Sequence, residues 1–395
     1  MKRLLYICDQ NPSGNTYGAQ QRTSLLCDLL CEIGQVDLVC FTSEAHPQKI
    51  MKPNCTIKYY GELSNKVHSR TILRLEKLLN ILLSFSQYSV YNKNKEAYNI
   101  TRNLLKNNHY DYIVIRYIKN ALTCGLFNDK RIIVDVDDLP DQSIISYANT
   151  IKLSKLKYFL YLFYAKRAKF HTNRFLKGIG HSFFSNEDQC KWRNSSYLPN
   201  IPFQISGKDQ NNAVCISNVN EPIVLFVGFM HHSPNSDGVD YFIKNIWGKV
   251  KVSIPGAIFR IVGNGVTPEE KVAWEKYDGI SVLGFVSDIQ SEYNKCKATV
   301  VPIFYGAGTN IKVLESMSMR RACVISKFSA RAFKNDLIDY KNILIARDDQ
   351  DFANKTIQLL LDENLNSYIA NNAAKTIKDK FSYTVFKGCV NRYLS

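Results

Sequence analysis

The sequence predicts an α/β protein built from two doubly wound units, each a parallel sheet with helices on both faces. Three observations predict it. Short apolar runs alternate with amphipathic stretches along most of the chain. The runs are separated by helical spacing rather than hairpin turns, which implies parallel strands with crossover helices. The pattern also breaks at residues 199–222 and then restarts, so two units are joined by a linker. With 395 residues, 45% hydrophobic and 22% charged, the chain has apolar material for two cores. That composition excludes disordered, collagen-like and coiled-coil chains.

In order, "RLLYIC" (3–8) reads as a buried strand and "GNTYGAQQR" (14–22) as a loop entering a helix. "TSLLCDLLCEIG" has helical apolar spacing and stops at Gly34, and "VDLVCFT" is the next strand. "YDYIVIR" (110–116) and "RIIVDVDD" (131–138) are strands whose carboxyl ends carry Arg116 and a group of acids. After the linker, "IVLFVG", "AIFRIVGNG", "ISVLGFV", "ATVVPIFYGAGTN", "RACVIS" and "NILIA" contain strands. Helices fall at 236–250, around 268–277, at 288–295, at 311–319 and from 351 onward. No repeat of solenoid length is present. Two such units place a cleft between two sets of strand carboxyl ends, the edge where open α/β sheets bind ligands.

The net charge is +16, and residues 1–200 carry +12 of it, from 28 Lys/Arg against 16 Asp/Glu. The first half therefore suits an anionic partner. The 11 cysteines are scattered, with no C-x-x-C pair. Cys27 and Cys31 lie one helical turn apart with nothing nearby to complete a metal site, so buried reduced thiols are expected. The apolar run Leu4–Cys8 is too short for a secretory segment, and no run reaches the ~18 residues of a membrane span. A cytosolic protein is expected, with a membrane surface as a further place for it.

The chemistry concentrates in residues 300–318, "VVPIFYGAGTNIKVLESMS". Gly306 and Gly308 flank Ala307 between a strand and a helix, where backbone N–H groups and a helix N-terminus can hold a phosphate. Thr309 can cap the helix. Lys312 lies in its first turn, and Glu315, three residues on, shares its face and can accept two bonds from a ribose diol. A tight turn with a surface Lys/Glu pair is the plainer alternative.

"YGAGTNIKVLESMS" resembles the glycine loop and following helix of the retaining GT-B glycosyltransferases of group 1 (family 4-like). "VLFVGFMHHSPNSDGVDYFIKNIWGKV", "AIFRIVGNG" and "ISVLGFVSDIQSEYNKCKATVVP" resemble further donor-domain segments in the expected order. The likeness covers about residues 222–380; "GNTYGAQQR" and "IIVDVDDLP" extend it loosely into the first half. It implies a GT-B fold of two Rossmann-like domains facing across a cleft. Residues 1–205 would bind the acceptor and 206–381 a nucleotide sugar, with a last helix, about 382–395, packing back on the first domain. It also implies retention, no metal requirement, and no cofactor beyond a nucleoside diphosphate sugar as co-substrate.

Carried over, Tyr305, Gly306, Gly308 and Thr309 line the diphosphate and sugar, Lys312 lies near the phosphates, and Glu315 holds the ribose. Gly263, Phe285 and Val286 border the base, and Gly228 lets its loop approach the phosphates. Two departures stand out. The first acid of the family's paired-glutamate motif falls on Ala307, and its phosphate-binding Arg falls on Phe229. His231, His232 or Asn235 would then substitute as donors.

In the first domain, Asp135 and Asp137 are expected on one side of a strand, with Asp138 opening the loop. Asp137 takes the place of the family's histidine, so Asp137 and Asp138 are the catalytic candidates, as base or as stabilisers of developing charge. Pairing of Asp137 with Arg116 and helix capping by Asp138 are the structural alternatives. Gly14, Gly18, Gln20, Arg22 and Arg116 are the acceptor-binding candidates.

Residues 151–180 hold eight Lys/Arg and no acid, interleaved with Tyr158, Phe159, Tyr161, Phe163, Tyr164 and Phe170. That mixture suits an anionic membrane surface and a lipid-linked glycan acceptor, or else packing on the domain with a solvated basic rim. No nucleic-acid motif accompanies it. The expected activity is sugar transfer in bacterial polysaccharide or glycan assembly. The alternatives are a catalytically silent sugar-nucleotide-binding subunit and a nucleotide-sugar epimerase.

Overall fold

The computed structural model describes residues 1–14, 18–44, 52–63, 94–137, 139–150, 154–202, 221–306, 309–333 and 335–394. The chain divides into two compact units, Met1–Pro199 with Lys387–Ser395, and Asn200–Phe386.

The first unit holds a seven-stranded sheet of β1 (Lys2–Cys8), β2 (Gly34–Phe41), β3 (Cys55–Gly61), β4 (Tyr112–Arg116), β5 (Ile132–Asp137), β6 (His181–Phe184) and β7 (Ser195–Tyr197). The order is β3-β2-β1-β4-β5-β6-β7, and every pairing is parallel. Leu4 to Cys8 are all buried, as a central strand covered on both faces requires. Leu5, Ile7, Ile113, Ile115, Val134 and Val136 form the core beneath Phe175, Leu176 and Ile179, which close the long helix Lys155–Gly178.

Three strands escape the sequence pattern. β3 is an edge strand of partly exposed residues, and β6 and β7 have four and three residues. Strands that short carry too little alternation to read.

The expectation that Asp135 and Asp137 share one side of the strand is corrected. The β5–β6 register shifts between them, and Asp137 has a left-handed φ of 64°. Asp135 is therefore fully buried, whereas Asp137 keeps 19% of its side chain exposed. Asp135 sits between two buried arginines. Arg22, from helix Gly18–Ile33, grips it with Nε at 2.8 Å and Nη2 at 2.7 Å, and Arg116 Nη1 reaches it at 2.5 Å. Arg22 Nη1 also donates to the carbonyls of Leu198 and Pro199, and Arg116 Nε to Thr23 Oγ1. One carboxylate and its two arginines thus tie together a helix, two strands and the stretch at Leu198–Pro199.

The closing helix Tyr383–Leu394 contributes to this unit from Lys387 onward. Tyr393 stacks on His181 with ring centroids 3.6 Å apart, and Lys387 pairs with Glu32 at 2.6 Å. Burial pushes the His181 imidazole down to about 4.

The second unit holds a six-stranded parallel sheet of β8 (Ile223–Val227), β9 (Ile258–Val262), β10 (Ile280–Gly284), β11 (Ala298–Val301), β12 (Cys323–Ser326) and β13 (Leu344–Ala346). Its order is β10-β9-β8-β11-β12-β13. The helix Ser233–Phe242 runs through a π turn, Ile243–Trp247, into Gly248–Ser253. Phe242, Trp247, Phe259 and Phe352 pack ring against ring beneath it. Among the described residues, no helix is long and apolar enough to cross a membrane.

The buried triad yields a stability prediction. Burial raises the Asp135 carboxyl, but Arg22 and Arg116 outweigh it and hold it below the ordinary carboxylate range. Its contribution is present at neutral pH and lost only as pH falls through that lowered value. Asp135→Asn leaves two buried guanidinium groups without a counter-charge and is expected to cost about 3–5 kcal/mol in urea unfolding at pH 7. A loss below about 1 kcal/mol would mean that water replaces the carboxylate.

Candidate functional site

In the second unit the candidate residues gather at the carboxyl edge of the sheet. Gly228 follows β8 and Gly263 follows β9. Gly263 has φ +144°, and a Cβ there would lie 1.7 Å from the Gly228 carbonyl oxygen. Only glycine fits, and the two turns lie backbone against backbone. Gly263 N donates to the Gly284 carbonyl at 2.8 Å. The next residue, Phe285, is 71% exposed, while Val286 packs on the core. An exposed aromatic ring beside bare backbone suits stacking by a planar base.

The loop 229–235 differs from expectation. Asn235 is buried, and its Nδ2 donates to the Phe229 carbonyl at 2.8 Å. It shapes the loop instead of offering its amide to a ligand. His231 stays exposed, its ring edge-on to Phe229 at 5.2 Å between centroids. His232 lies near Lys312; partial desolvation and that ammonium hold its imidazole below the usual range.

Gly306 has φ +126° and packs against Pro234. Its carbonyl accepts from Arg331 Nη2 at 3.3 Å, and the guanidinium lies 3.7 Å from the Phe328 ring centroid. The Tyr305 hydroxyl donates to the Asp237 carboxylate. Gly308 and Ala307 lie outside the described residues. Thr309 does not cap the helix. Ile311–Ser318 starts after Asn310, and the Thr309 hydroxyl accepts from Asn200. Asn310 makes no capping bond, and its Nδ2 is buried without a partner among the described residues. That leaves a polar donor to satisfy at the helix start. Lys312, half-buried in the first turn, has its ammonium pushed down to about 8 by desolvation, opposed by Glu315. A desolvated cation beside a helix N-terminus favours a bound anion.

In the first unit the carboxyl edge of β4 and β5 presents Asp137. Arg116 Nη2 lies 3.4 Å from its carboxylate and donates to the Tyr117 hydroxyl at 2.9 Å. Asp9, just after β1, pairs nearby with Lys119 of helix Ile118–Thr123. Three acceptor candidates are corrected. Arg22 and Arg116 are buried in the Asp135 triad and cannot meet an external anion. Gln20 is buried against Gly14 and donates to Glu44 Oε2 at 2.9 Å. Gly18 is the first residue of its helix, and Asp138 lies outside the described residues.

Residues 221–362 match the family described as glycosyl transferases group 1. No curated protein matches the chain by sequence. Solved structures match over almost the whole length. Sucrose-phosphate synthase from Thermosynechococcus elongatus is 13% identical, with a TM-score of 0.68, covering 99% of this chain and 98% of that one. WaaG, a glycosyltransferase involved in lipopolysaccharide biosynthesis, is 12% identical with a TM-score of 0.63, covering 99% of each. Anabaena Alr3699/HepE, solved with UDP and glucose, is 14% identical with a TM-score of 0.61, covering 100% of this chain and 99% of that one.

The chain has the GT-B fold, two Rossmann-like units each built on a parallel sheet. Arg331, Asn310 and Tyr117 are the polar residues at these sheet edges that sequence reasoning missed. Arg331 is 25 positions beyond Gly306 in a segment without a motif, so only the fold reveals their contact.

Lys312 gives the next prediction. Its folded value lies below its unfolded one, so it weakens the fold below pH 8, and the penalty fades as pH rises toward the ordinary lysine range. Lys312→Met is expected to raise stability by about 1 kcal/mol at pH 7. The gain should shrink in urea titrations above pH 8. Equal stability at every pH would mean that the ammonium is fully hydrated.

Proposed function

We propose that the second unit binds a nucleoside diphosphate sugar and that the enzyme transfers its sugar, with retention and without a required metal, to a glycan acceptor on the first unit. One observation carries this reading. Bare backbone at Gly228 and Gly263 lies at the same sheet edge as the start of helix Ile311–Ser318, where Lys312 stands in the first turn and the Asn310 amide is without a partner among the described residues. A diphosphate satisfies such a set through backbone donors, a helix dipole and one cation. Glu315 then takes the ribose hydroxyls, Phe285 the base, and Tyr305, Gly306, Gly308 and Thr309 the sugar side. Arg331 holds the Gly306 turn in place and adds a second cation where the family's arginine is replaced by Phe229. The charge on the leaving diphosphate is met by these groups. Asp137, oriented by Arg116, serves the reacting sugar or acceptor hydroxyl, with Asp138 beside it in sequence.

UDP-glucose is the first donor to test, because the Alr3699/HepE structures are described with UDP and UDP-glucose. Glu315→Ala should weaken UDP binding about 10- to 100-fold by calorimetry, the scale of hydrogen bonds to a charged group. Asp137→Asn should reduce turnover at least tenfold with UDP affinity unchanged. Unaltered UDP affinity in Glu315→Ala would displace the site. Tight UDP binding with no turnover across a panel of donors and acceptors would favour the silent binding subunit.

The acceptor is proposed to be lipid-linked, met at the cytoplasmic face of the inner membrane. Leu156, Phe159, Phe163 and Phe170 are all exposed on helix Lys155–Gly178, spaced so that they form one stripe. Lys155, Lys166, Lys169 and Lys177 border them. A cavity of about 350 Å³ at the same helix is lined by Lys169, Lys177 and Lys191 together with one acid, Asp141. Apolar insertion flanked by cations suits anionic lipid. Reversal of Lys166, Arg167 and Lys169 to Glu should abolish sedimentation with phosphatidylglycerol vesicles. Retained sedimentation would dismiss the membrane reading.

A further inference from the structure

Cys27 and Cys31 are buried free thiols, as expected. Cys27 and Cys31, on one face of helix Gly18–Ile33, have no third ligand near them in sequence, but the fold supplies Cys55, the first residue of β3. The three Sγ atoms all lie within 4.8 Å of one another. Cys27 and Cys31 are buried and Cys55 is half-buried.

The cluster is built from several sides. β2 and β3 pair with Val36 opposite Cys55, which sets Cys55 at the amino end of its strand. Asn54, with φ +67°, donates from its side chain to the Cys31 carbonyl at 3.1 Å. Val36 N donates to the Asn54 carbonyl at 2.8 Å, and Cys55 N closes a turn on Lys52. Lys52 pairs with Asp28 at 2.6 Å and donates to the carbonyls of Pro12 and Ser24. The turn before Cys55 is thus bolted to the helix that carries the other two thiols.

We propose that Cys27, Cys31 and Cys55 form a structural site for one thiophilic d¹⁰ cation, such as Zn²⁺ or Cu⁺. A metal–sulfur distance of ~2.3 Å in a three-coordinate centre requires sulfurs about 4 Å apart, so the thiols need to close by less than about an ångström. Each ligating thiol releases its proton to solvent as the bond forms. Three thiolates around a dication leave one net negative charge, and the Lys52 ammonium stands near all three sulfurs to offset it. Soft sulfur ligands select such ions over Mg²⁺ or Ca²⁺. The site lies by the amino end of β3, whereas Asp137 is at the carboxyl end of β5 in the same parallel sheet. Its role is therefore to clamp an edge strand to a helix, apart from the transfer chemistry.

The test uses the full chain, reduced and stripped with chelator. Cd²⁺ should bind one per chain, with thiolate-to-metal charge-transfer absorption scaled to three sulfurs. Zn²⁺ should raise the thermal midpoint and protect these three thiols from alkylation. Cys55→Ser should lose Zn²⁺ affinity by more than the ~10- to 100-fold that an outer-shell partner commands. Cys31→Ala provides a second variant should Cys55→Ser fold poorly, and Cys190→Ser should bind as the wild type does. Wild-type protein that takes up no stoichiometric metal, or variants that bind Zn²⁺ equally well, would overturn the proposal. So would a Cys55 disulfide in protein purified without reductant, if the reduced form also ignores metal.

Discussion

Parallel pairing is the constraint from which the rest of this molecule follows. Every pairing between described strands is parallel, so each connection must return across a face of the sheet before the next strand begins. All strands of a sheet then end at the same edge, and the loops leaving them are neighbours whatever their separation in sequence. In the second unit this brings together turns at 228, 263, 284 and 306, drawn from nearly 80 positions of chain. Apolar side chains on both faces make the edge rigid, and the edge is where polar chemistry can be held without disturbing a core.

The first unit solves a different problem at its edge. Three charged groups, Arg22, Arg116 and Asp135, are almost wholly withdrawn from water. Such burial is costly unless each charge is matched and each donor satisfied. Here Asp135 takes both guanidinium groups, and the remaining donors reach Thr23, Leu198, Pro199 and Tyr117. The residual reach of Arg116 falls on Asp137, whose left-handed backbone turns it out of the buried row. A structural ion cluster thereby orients a partly exposed carboxylate, which is why residues that look alike in the sequence have different fates.

Much of the architecture can be read from the chain because its signals are local. Long apolar runs such as Leu4–Cys8 and Ile132–Val136 announce central strands, and the glycines at 228, 263 and 306 announce turns that need bare backbone. The signal fails where it is short or non-local. β6 and β7 are too brief to show a period, and β3 is an edge strand whose half-exposed residues look like loop. Charged residues mislead most. Arg22 reads as a ligand-binding side chain because arginine is usually exposed, and nothing in its neighbours reveals that Asp135, 113 positions away, will neutralise it.

By itself the sequence determined two α/β units, the glycine turn at 305–308 leading into the helix that carries Lys312 and Glu315, and the basic, aromatic character of the helix Lys155–Gly178. These follow from periodicity, glycine placement and composition, which depend on neighbours within a turn or two. Tertiary structure alone decided that Asn235 shapes a loop, that Arg331 meets Gly306, that Asp137 is partly exposed while Asp135 is buried, and that Cys55 joins Cys27 and Cys31. Each is a contact between segments far apart in the chain, set by strand order and register, and no local pattern encodes which distant side chain will satisfy a buried charge or complete a cluster.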